Sequence, residues 1–304
     1  MDTLAPVRFK FLLGEVHLHS WRPRFVAAQA SALDEAPAKQ ALPPDAAGVW
    51  WQGTEAGRFP LGWERTRGWL RYVPREDKLF HVRVEGDFEA YLSAWSTKAR
   101  YNLKRSVRKL QDRNPGQPLL EIFTEPDQME HFLRQAAAIS EHTYQSKLLQ
   151  SGLTFSEALL GQMQARATDG EARGYLLRDQ GEAIAFAWCA GRGERLTYEV
   201  IGYQESAAAL SPGSVLLYLI LEDLFALQRF QVFDFGVGDA PYKRQFATGV
   251  LEFAEVYFFT DSWRHRLLVG THWLLDRFSA GVGRLLERWG LKARVRQWIR
   301  RLRG

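Results

Sequence analysis

A tyrosine and a lysine follow a short apolar segment that ends in glycines, and both side chains suit group-transfer chemistry. Tyr242 and Lys243 come soon after Gly236 and Gly238, whose backbone freedom permits tight turns. A lysine can stabilise negative charge that develops on a phosphate or an oxyanion, and a tyrosine can protonate a leaving group. The residue types leave a second interpretation open, in which Lys243 forms a structural ion pair with Asp234 and Tyr242 packs in the core.

A second candidate site is the start of a predicted apolar helix, formed by Ser211, Pro212, Gly213 and Ser214. A helix N-terminus exposes amides without intrahelical acceptors and the positive end of the helix dipole, so it attracts anions. The small residues before it would let a pyrophosphate approach the backbone. An ordinary strand-to-helix turn with proline at the first helical position explains the same residues more simply.

Glu199 lies on the strand that precedes this helix and is a candidate general base. A buried strand glutamate with a raised pKa would suit proton abstraction. The alternative is a solvent-facing strand residue, because Thr197, Glu199 and Ile201 alternate onto one face of the strand.

Hydrophobic periodicity and turn residues predict the elements that must position these side chains. The predicted helices are 87–95, 98–112, 127–142, 155–167 and 215–227, and the predicted strands are 119–124, 172–178, 183–190, 195–203, 231–235 and 251–259. Short glycine turns join the three strands from 172 to 203, which predicts an antiparallel meander. An amphipathic helix is predicted after Asp261, whereas residues 1–90 predict small strands and loops.

The helix predicted at 98–112 carries seven basic residues with Arg113 included, among them Arg100, and one acidic residue. One interpretation is a solvated helix face, and the functional alternative is contact with a polyphosphate, a lipid-linked acceptor or tRNA. The helix lacks the aromatic residues that single-strand nucleic acid binders interleave with their basic ones. Nucleic acid is therefore not an expected partner, with tRNA the exception in one alternative below.

Composition narrows the class of protein further. The chain has 304 residues, 46% apolar and 25% charged, which is typical of soluble globular proteins. Its single cysteine, Cys189, excludes an intrachain disulfide and a multi-cysteine zinc site, and the histidines have no metal-ligand spacing, so no metal is expected. Neither a secretory signal nor a membrane span is recognisable, which predicts a cytoplasmic location.

Three segments together resemble the BioF2-like (CelD-type) acetyltransferase domain of the GNAT superfamily, over about residues 79–259. Residues 96–105 match the basic "K-x-R-x-N-L-x-R" helix of that family, and residues 202–213 match its strand–loop–helix junction. Residues 233–246 match "F-D-F-x-x-G-x-x-x-Y-K-x-x-F", the most specific of the three. The resemblance implies an α+β GNAT fold with a mixed central sheet at 86–260. A reduced GNAT-like or strand-rich unit would precede it at 1–85, as in tandem GNAT proteins, and a basic amphipathic tail would follow at 261–304.

The family resemblance also implies a reaction and a set of site residues. The reaction is transfer of an acyl group, acetyl in the first instance, from acyl-CoA to an amine or hydroxyl of a small-molecule or lipid-linked saccharide acceptor, a cell-envelope or polysaccharide precursor. The implied residues are catalytic Asp234, Tyr242, Lys243 and Glu199, donor-binding Ser211, Pro212, Gly213 and Ser214, and acceptor-binding His142, Tyr144, Arg100 and Asp239. His142 could equally interact with the C-terminal dipole of its own helix.

One departure from the family leaves the donor open. The usual pyrophosphate-binding pattern Q/R-x-x-G-x-G/A is absent, and Ser211-Pro212-Gly213-Ser214 stands in its place. A FemAB-like transferase that takes an aminoacyl group from tRNA is therefore the first alternative. An inactive GNAT scaffold in an envelope-synthesis complex is the second.

The net charge of +5 is unevenly distributed along the chain. Residues 284–304 hold eight basic residues and one acidic residue, a formal charge of +7, behind a tryptophan- and leucine-rich stripe. Amphipathic basic helices of this kind lie on anionic bilayers, which predicts peripheral membrane contact through the C-terminal segment. A helix packed on its own domain with a solvated end is the alternative.

Overall fold

The protein is described by a computed structural model that covers residues 4–13, 16–29, 34–38, 42–141 and 152–288, with the side chains of the last helix described to Val282. The acceptor-binding predictions for His142 and Tyr144 lie outside these residues. The tail beyond residue 288 lies outside them as well.

The elements follow one another in an order close to the predicted one. The strands are β1 (Leu4–Pro6), β2 (Phe9–Leu13), β3 (Val16–Trp21), β4 (Arg24–Ala28), β5 (Ala46–Glu55), β6 (Gly62–Thr66), β7 (Trp69–Val73), β8 (Glu76–Arg83), β9 (Leu120–Phe123), β10 (Ala172–Asp179), β11 (Glu182–Arg192), β12 (Arg195–Tyr203), β13 (Val232–Val237) and β14 (Gly249–Thr260). The helices are α1 (Phe88–Ser93), α2 (Thr97–Arg113), α3 (Met129–Glu141), α4 (Glu157–Thr168), α5 (Pro212–Leu227), α6 (Pro241–Phe246) and α7 (Trp263–Arg288), with 3₁₀ turns at Pro126–Gln128 and Glu205–Leu210.

The chain forms two compact units. The first comprises the described parts of residues 1–77 and 252–304, and the second comprises those of residues 78–251. This division differs from the predicted segments 1–85, 86–260 and 261–304. The reason is that the end of β14 pairs with N-terminal strands and α7 packs on them, so neither forms a separate tail.

The second unit is built on a mixed sheet in the order β8-β13-β12-β11-β10-β9. Strands β9 to β12 are antiparallel neighbours, as the predicted meander requires, and β12 and β13 are parallel. Strand β11 is buried from Ala183 to Gly191, which is expected of a central strand with both faces covered.

Helices cover both faces of this sheet. One apolar cluster combines α1, α2 and α5 with the sheet, and the other combines α3 and α4 with its opposite face. The helices begin where their capping residues predict: the Asp87 carboxylate accepts a hydrogen bond from the Ala90 amide at 2.7 Å, and the Ser96 hydroxyl accepts one from the Ala99 amide at 3.3 Å. The α+β fold with a mixed central sheet is therefore confirmed.

The first unit has its own sheet, in the order β1-β4-β5-β14-β7-β6. Strands β2 and β3 form a separate hairpin. The core combines β2, the sheet and α7, through Phe9, Phe11, Phe25, Tyr72 and Val269, all of them less than a tenth exposed. Residues 1–77 thus provide more strands than the sequence pattern predicts, and they are completed by the C-terminal part of the chain.

Candidate functional site

Strands β12 and β13 separate at the centre of the second unit, and the site lies where they part. Their parallel ladder joins Arg195 to Val232, Leu196 to Phe233 and Thr197 to Asp234. Beyond Thr197 the ladder ends, although β12 continues to Tyr203 and β13 to Val237. A sheet that opens in this way offers unpaired backbone groups to a ligand that lies between the two strands.

Glu199 sits at a bulge in β12. On the neighbouring strand, Cys189 pairs with Tyr198 and Trp188 pairs with Val200, so Glu199 is the extra residue. Its side chain is exposed. The buried environment that the general-base prediction assumed is therefore absent at Glu199, and the solvent-facing alternative describes its position better.

The helix predicted to bind the donor begins as expected. A 3₁₀ turn at Glu205–Leu210 leads into Ser211, which adopts left-handed backbone angles of φ 54° and ψ 47°. The Ser211 carbonyl accepts hydrogen bonds from the amides of Ser214 and Val215, both at 3.1 Å. Pro212 has no amide hydrogen, so the first amide of α5 is that of Gly213, which has no intrahelical acceptor.

A cavity of about 440 Å³ connects this helix start with the part of β12 that lies beyond the ladder and with α6. Three predicted site residues line it: Gly213, Ser214 and Tyr242. Most of the remaining lining is apolar or aromatic, namely Phe186, Tyr198, Ile201, Tyr203, Leu216, Leu217 and Phe246, and Glu205 contributes a carboxylate. The volume and the lining are those of a small-molecule site, with a few polar groups placed in an apolar enclosure.

Tyr242 combines access to the cavity with a protonated hydroxyl. Its ring packs edge-on against Phe235, with the centroids 6.1 Å apart. Burial raises the pKa of the Tyr242 hydroxyl above its ordinary value of 10.0. The phenol therefore stays protonated at neutral pH, as a group that donates a proton to a leaving thiolate must.

Lys243 and Asp234 brace the turn at the end of β13. The Lys243 ammonium donates hydrogen bonds to the carbonyls of Gly236 at 3.0 Å and Val237 at 3.1 Å. One oxygen of the Asp234 carboxylate accepts the Gly236 amide, and the other accepts Arg195, both at 2.8 Å. Burial lowers the pKa of Lys243, although the nearby carboxylates of Asp234 and Asp239 act in the opposite direction.

Lys243 does not form the ion pair with Asp234 that was its structural alternative. Its partners are backbone carbonyls, whereas Asp234 pairs with Arg195 and Asp239 pairs with Arg244 at 3.2 Å. The catalytic roles of Lys243 and Asp234 stay predictions, and the geometry favours support of the turn. Asp239 is exposed beside the same turn, and its acceptor-binding role also stays a prediction.

The basic helix α2 meets the start of α5 at a second, more open cleft of about 420 Å³. Lys98, Asn102 and Ser106 line it from α2, and Ser211 and Ser214 line it from the other side. Ser214 therefore faces both cavities. Arg100 is half-buried and is not part of either lining, while Lys104 pairs with Glu89 at 2.8 Å.

Within the described parts of the chain, no group of three or more histidine, cysteine, aspartate or glutamate side chains is placed to hold a metal ion. No helix there combines the length and the apolar character needed to cross a bilayer.

A family model described as an acetyltransferase (GNAT) domain matches residues 97–244, the segment that contains α2, the parted strands and the Tyr242–Lys243 step. The chain carries a GNAT acetyltransferase domain. The fold resemblance and the assignment as an acyltransferase enzyme are thus confirmed. The match ends short of the first unit, and the tandem arrangement with a reduced GNAT-like unit stays a prediction.

Three solved structures are also similar to this chain. The C-terminal domain of a protein described as a lysylphosphatidylglycerol synthetase, from Agrobacterium fabrum, is 14% identical with a TM-score of 0.45, over 71% of this chain and 67% of that one. FemX is 10% identical with a TM-score of 0.44, over 63% of each chain. An acetyltransferase of the GNAT family from Novosphingobium aromaticivorans is 11% identical with a TM-score of 0.35, over 70% of this chain and 74% of that one. None of the curated proteins matches the sequence.

Proposed function

We propose that the GNAT domain transfers an acyl group from acyl-CoA, acetyl in the first instance, to an amine or hydroxyl of a cell-envelope or polysaccharide precursor. The observation that carries the donor assignment is the cavity that runs from the start of α5 along the part of β12 beyond its ladder with β13. A CoA thioester has the matching shape, because a pyrophosphate would lie at the Gly213 amide and a mostly apolar pantetheine arm would extend into the cavity.

The chemistry requires few groups from the protein. Attack of the acceptor on the thioester carbon breaks the carbon–sulfur bond, and the thiolate that leaves takes a proton from Tyr242. The proton that the acceptor amine or hydroxyl loses passes to solvent water, and solvent returns a proton to the Tyr242 phenolate. Backbone amides at the parted strands would stabilise the oxyanion, and binding both reactants side by side supplies much of the rate. No covalent enzyme intermediate is needed, which agrees with the inaccessibility of Cys189, a fully buried side chain whose pKa is raised by burial.

The FemAB-like alternative has one observation in its favour. The cleft between α2 and the start of α5 is lined by Lys98 and by polar side chains, and the exposed face of α2 carries further basic residues. A large polyanion such as charged tRNA would fit that surface better than the apolar cavity. Acyl-CoA and charged tRNA would therefore bind different surfaces next to the start of α5.

Donor binding separates these assignments from each other and from the scaffold. The free energy of unfolding would be measured with acetyl-CoA, with desulfo-CoA as an unreactive analogue, and with charged tRNA. A ligand at 100 times its Kd stabilises the folded chain by about 2.7 kcal/mol. Stabilisation by acetyl-CoA and by desulfo-CoA supports the proposal, stabilisation by charged tRNA alone supports the FemAB-like function, and stabilisation by neither supports the scaffold.

Turnover then tests the acceptor class. Release of free CoA thiol from acetyl-CoA would be followed with amino sugars and with hydroxylated saccharides, and the acetylated product identified by mass spectrometry. Release above the rate of hydrolysis with one of these classes supports the proposed acceptor. Strong donor binding without release in either class would retain acyl-CoA as the donor and refute the saccharide acceptor.

A further inference from the structure

Helix α7 of the first unit presents a row of large apolar side chains to solvent. Trp263, Leu267, Leu274 and Phe278 are 69%, 63%, 69% and 58% exposed. Their positions repeat at i, i+4, i+11 and i+15, so at 100° per residue they lie within about 60° of one another on the helix surface. We call these four residues the outer stripe.

The outer stripe takes no part in the core of the first unit. The opposite side of α7 packs on β2 and the sheet through Leu268, Val269, Trp273 and Leu275, with Val269 only 1% exposed. The helix is therefore apolar on two sides, although one apolar side is enough to dock it. Exposed apolar patches of this kind mark interaction sites on protein surfaces.

The charges around the outer stripe indicate its partner. Arg264 lies on one flank and Arg277 on the other, whereas the acidic Asp276 lies on the opposite side of the helix. Residues 284–304, which comprise the end of α7 and the sequence after it, add a formal charge of +7. An apolar row between basic flanks is the pattern of a helix that lies in the interface of an anionic bilayer, with lipid phosphates facing the arginines.

A second copy of the chain fits this surface less well. Two outer stripes placed face to face would bring the basic flanks of both copies together, and like charges opposed across an interface cost free energy. An anionic bilayer instead supplies negative charge opposite the basic flanks along the whole length of the outer stripe.

We infer that α7 docks the protein on anionic phospholipid membranes, with the outer stripe inserted among the acyl chains and the flanking arginines at the headgroups. Docking of this kind holds the protein at the membrane whether its GNAT domain uses acyl-CoA or another donor. It would also bring that domain to acceptors that are themselves anchored in lipid.

Vesicle co-sedimentation of the full chain tests the inference. One set of vesicles is phosphatidylcholine alone, and the other contains 30% phosphatidylglycerol, roughly the anionic fraction that attracts basic segments. The stripe variant is Leu267→Gln with Leu274→Gln, which keeps side-chain length and helix propensity. The matched control is Ala280→Gln, an exposed position on the same helix outside the outer stripe.

The expected result is binding of the wild type to the anionic vesicles, at least tenfold weaker binding to neutral ones, and weaker binding at high salt. The stripe variant should lose at least tenfold in partitioning, while the control binds as the wild type does. Failure of the wild type to bind, or equal binding by the stripe variant, overturns the inference. A wild-type dimer that the stripe variant converts to a monomer also overturns it, because a second copy would then cover the outer stripe.

Discussion

Replacing Gly213 by aspartate is expected to move stability and donor affinity in opposite directions. A Cβ at this position meets only the Tyr203 ring, at 3.9 Å, so the side chain fits without strain. Near the start of α5 a carboxylate interacts favourably with the helix dipole, by about 0.3–1 kcal/mol, and loss of the glycine adds roughly 0.5–1 kcal/mol. We expect the free energy of unfolding of Gly213→Asp to equal or exceed that of the wild type.

Donor affinity should fall in the same variant. A unit charge about 4 Å from one negative charge of a pyrophosphate costs about 4 kcal/mol at the dielectric typical of a protein surface. Screening and side-chain rotation reduce that value, so a tenfold loss, about 1.4 kcal/mol, is the minimum we expect. Isothermal calorimetry with desulfo-CoA and urea unfolding of the same preparation measure both quantities.

Gly213→Asn has the same shape without the charge, and it isolates the electrostatic part of the effect. We expect Gly213→Asn to cost much less donor affinity than Gly213→Asp. Equal donor affinity of Gly213→Asp and the wild type would place the pyrophosphate elsewhere. Equal losses in Asp and Asn would mean that space, and not charge, governs binding at the start of α5.

Three further changes probe the turn, the cavity and the first unit. Tyr242→Phe should lower kcat by roughly 10²-fold or more, because a general acid contributes about 10²–10⁴-fold, while the packing on Phe235 preserves stability. The rate of CoA release measures kcat and thermal unfolding measures stability, and an unchanged kcat excludes the acid role. Lys243→Met should lower the free energy of unfolding by about 1.5–3 kcal/mol, because a charged donor to two carbonyls is lost. Urea unfolding measures this loss, and normal stability with a roughly 10²-fold loss of kcat would instead support the catalytic role. Burial lowers the pKa of His272 below 6.5, so the unfolded chain binds a proton there that the folded chain does not. Stability should therefore decline as the pH falls from 6.5 toward the lowered pKa of His272. In unfolding measured from pH 7 to 5, His272→Gln should weaken that decline and leave the similar contribution of His81. An unchanged pH dependence in the variant would refute the role of His272.

The meander of the second unit could be predicted because its signals are local. Strands β10, β11 and β12 end within two residues of their predicted bounds. Gln180 and Gly181 both have positive φ, at 52° and 85°, which is the geometry of a two-residue hairpin turn. Alternation and turn chemistry are properties of neighbouring residues, so one sequence suffices to recognise them.

The partners of the site residues could not be predicted in the same way. The structural alternative for Lys243 pairs it with a carboxylate because charges are visible in a sequence, whereas its acceptors are backbone carbonyls placed by the turn at Gly236. The bulge at Glu199 depends on the register with β11, which is a long-range property. Alternation does not identify Tyr198 and Tyr203 as residues of one cavity, because their separation of five places them on opposite faces of a regular strand, and the bulge at Glu199 changes that alternation.

The place of β14 in the first unit has a consequence for synthesis of the chain on the ribosome. This strand pairs with β5 on one side and β7 on the other, yet it is made after the whole second unit. At 5–20 residues per second, the roughly 180 residues between β7 and the paired part of β14 take about 10–40 s to translate. During that interval the facing edges of β5 and β7 lack their partner, while the second unit is already complete enough to fold. We therefore expect the nascent first unit to expose two unpaired strand edges until β14 is made, so that its assembly waits for elongation.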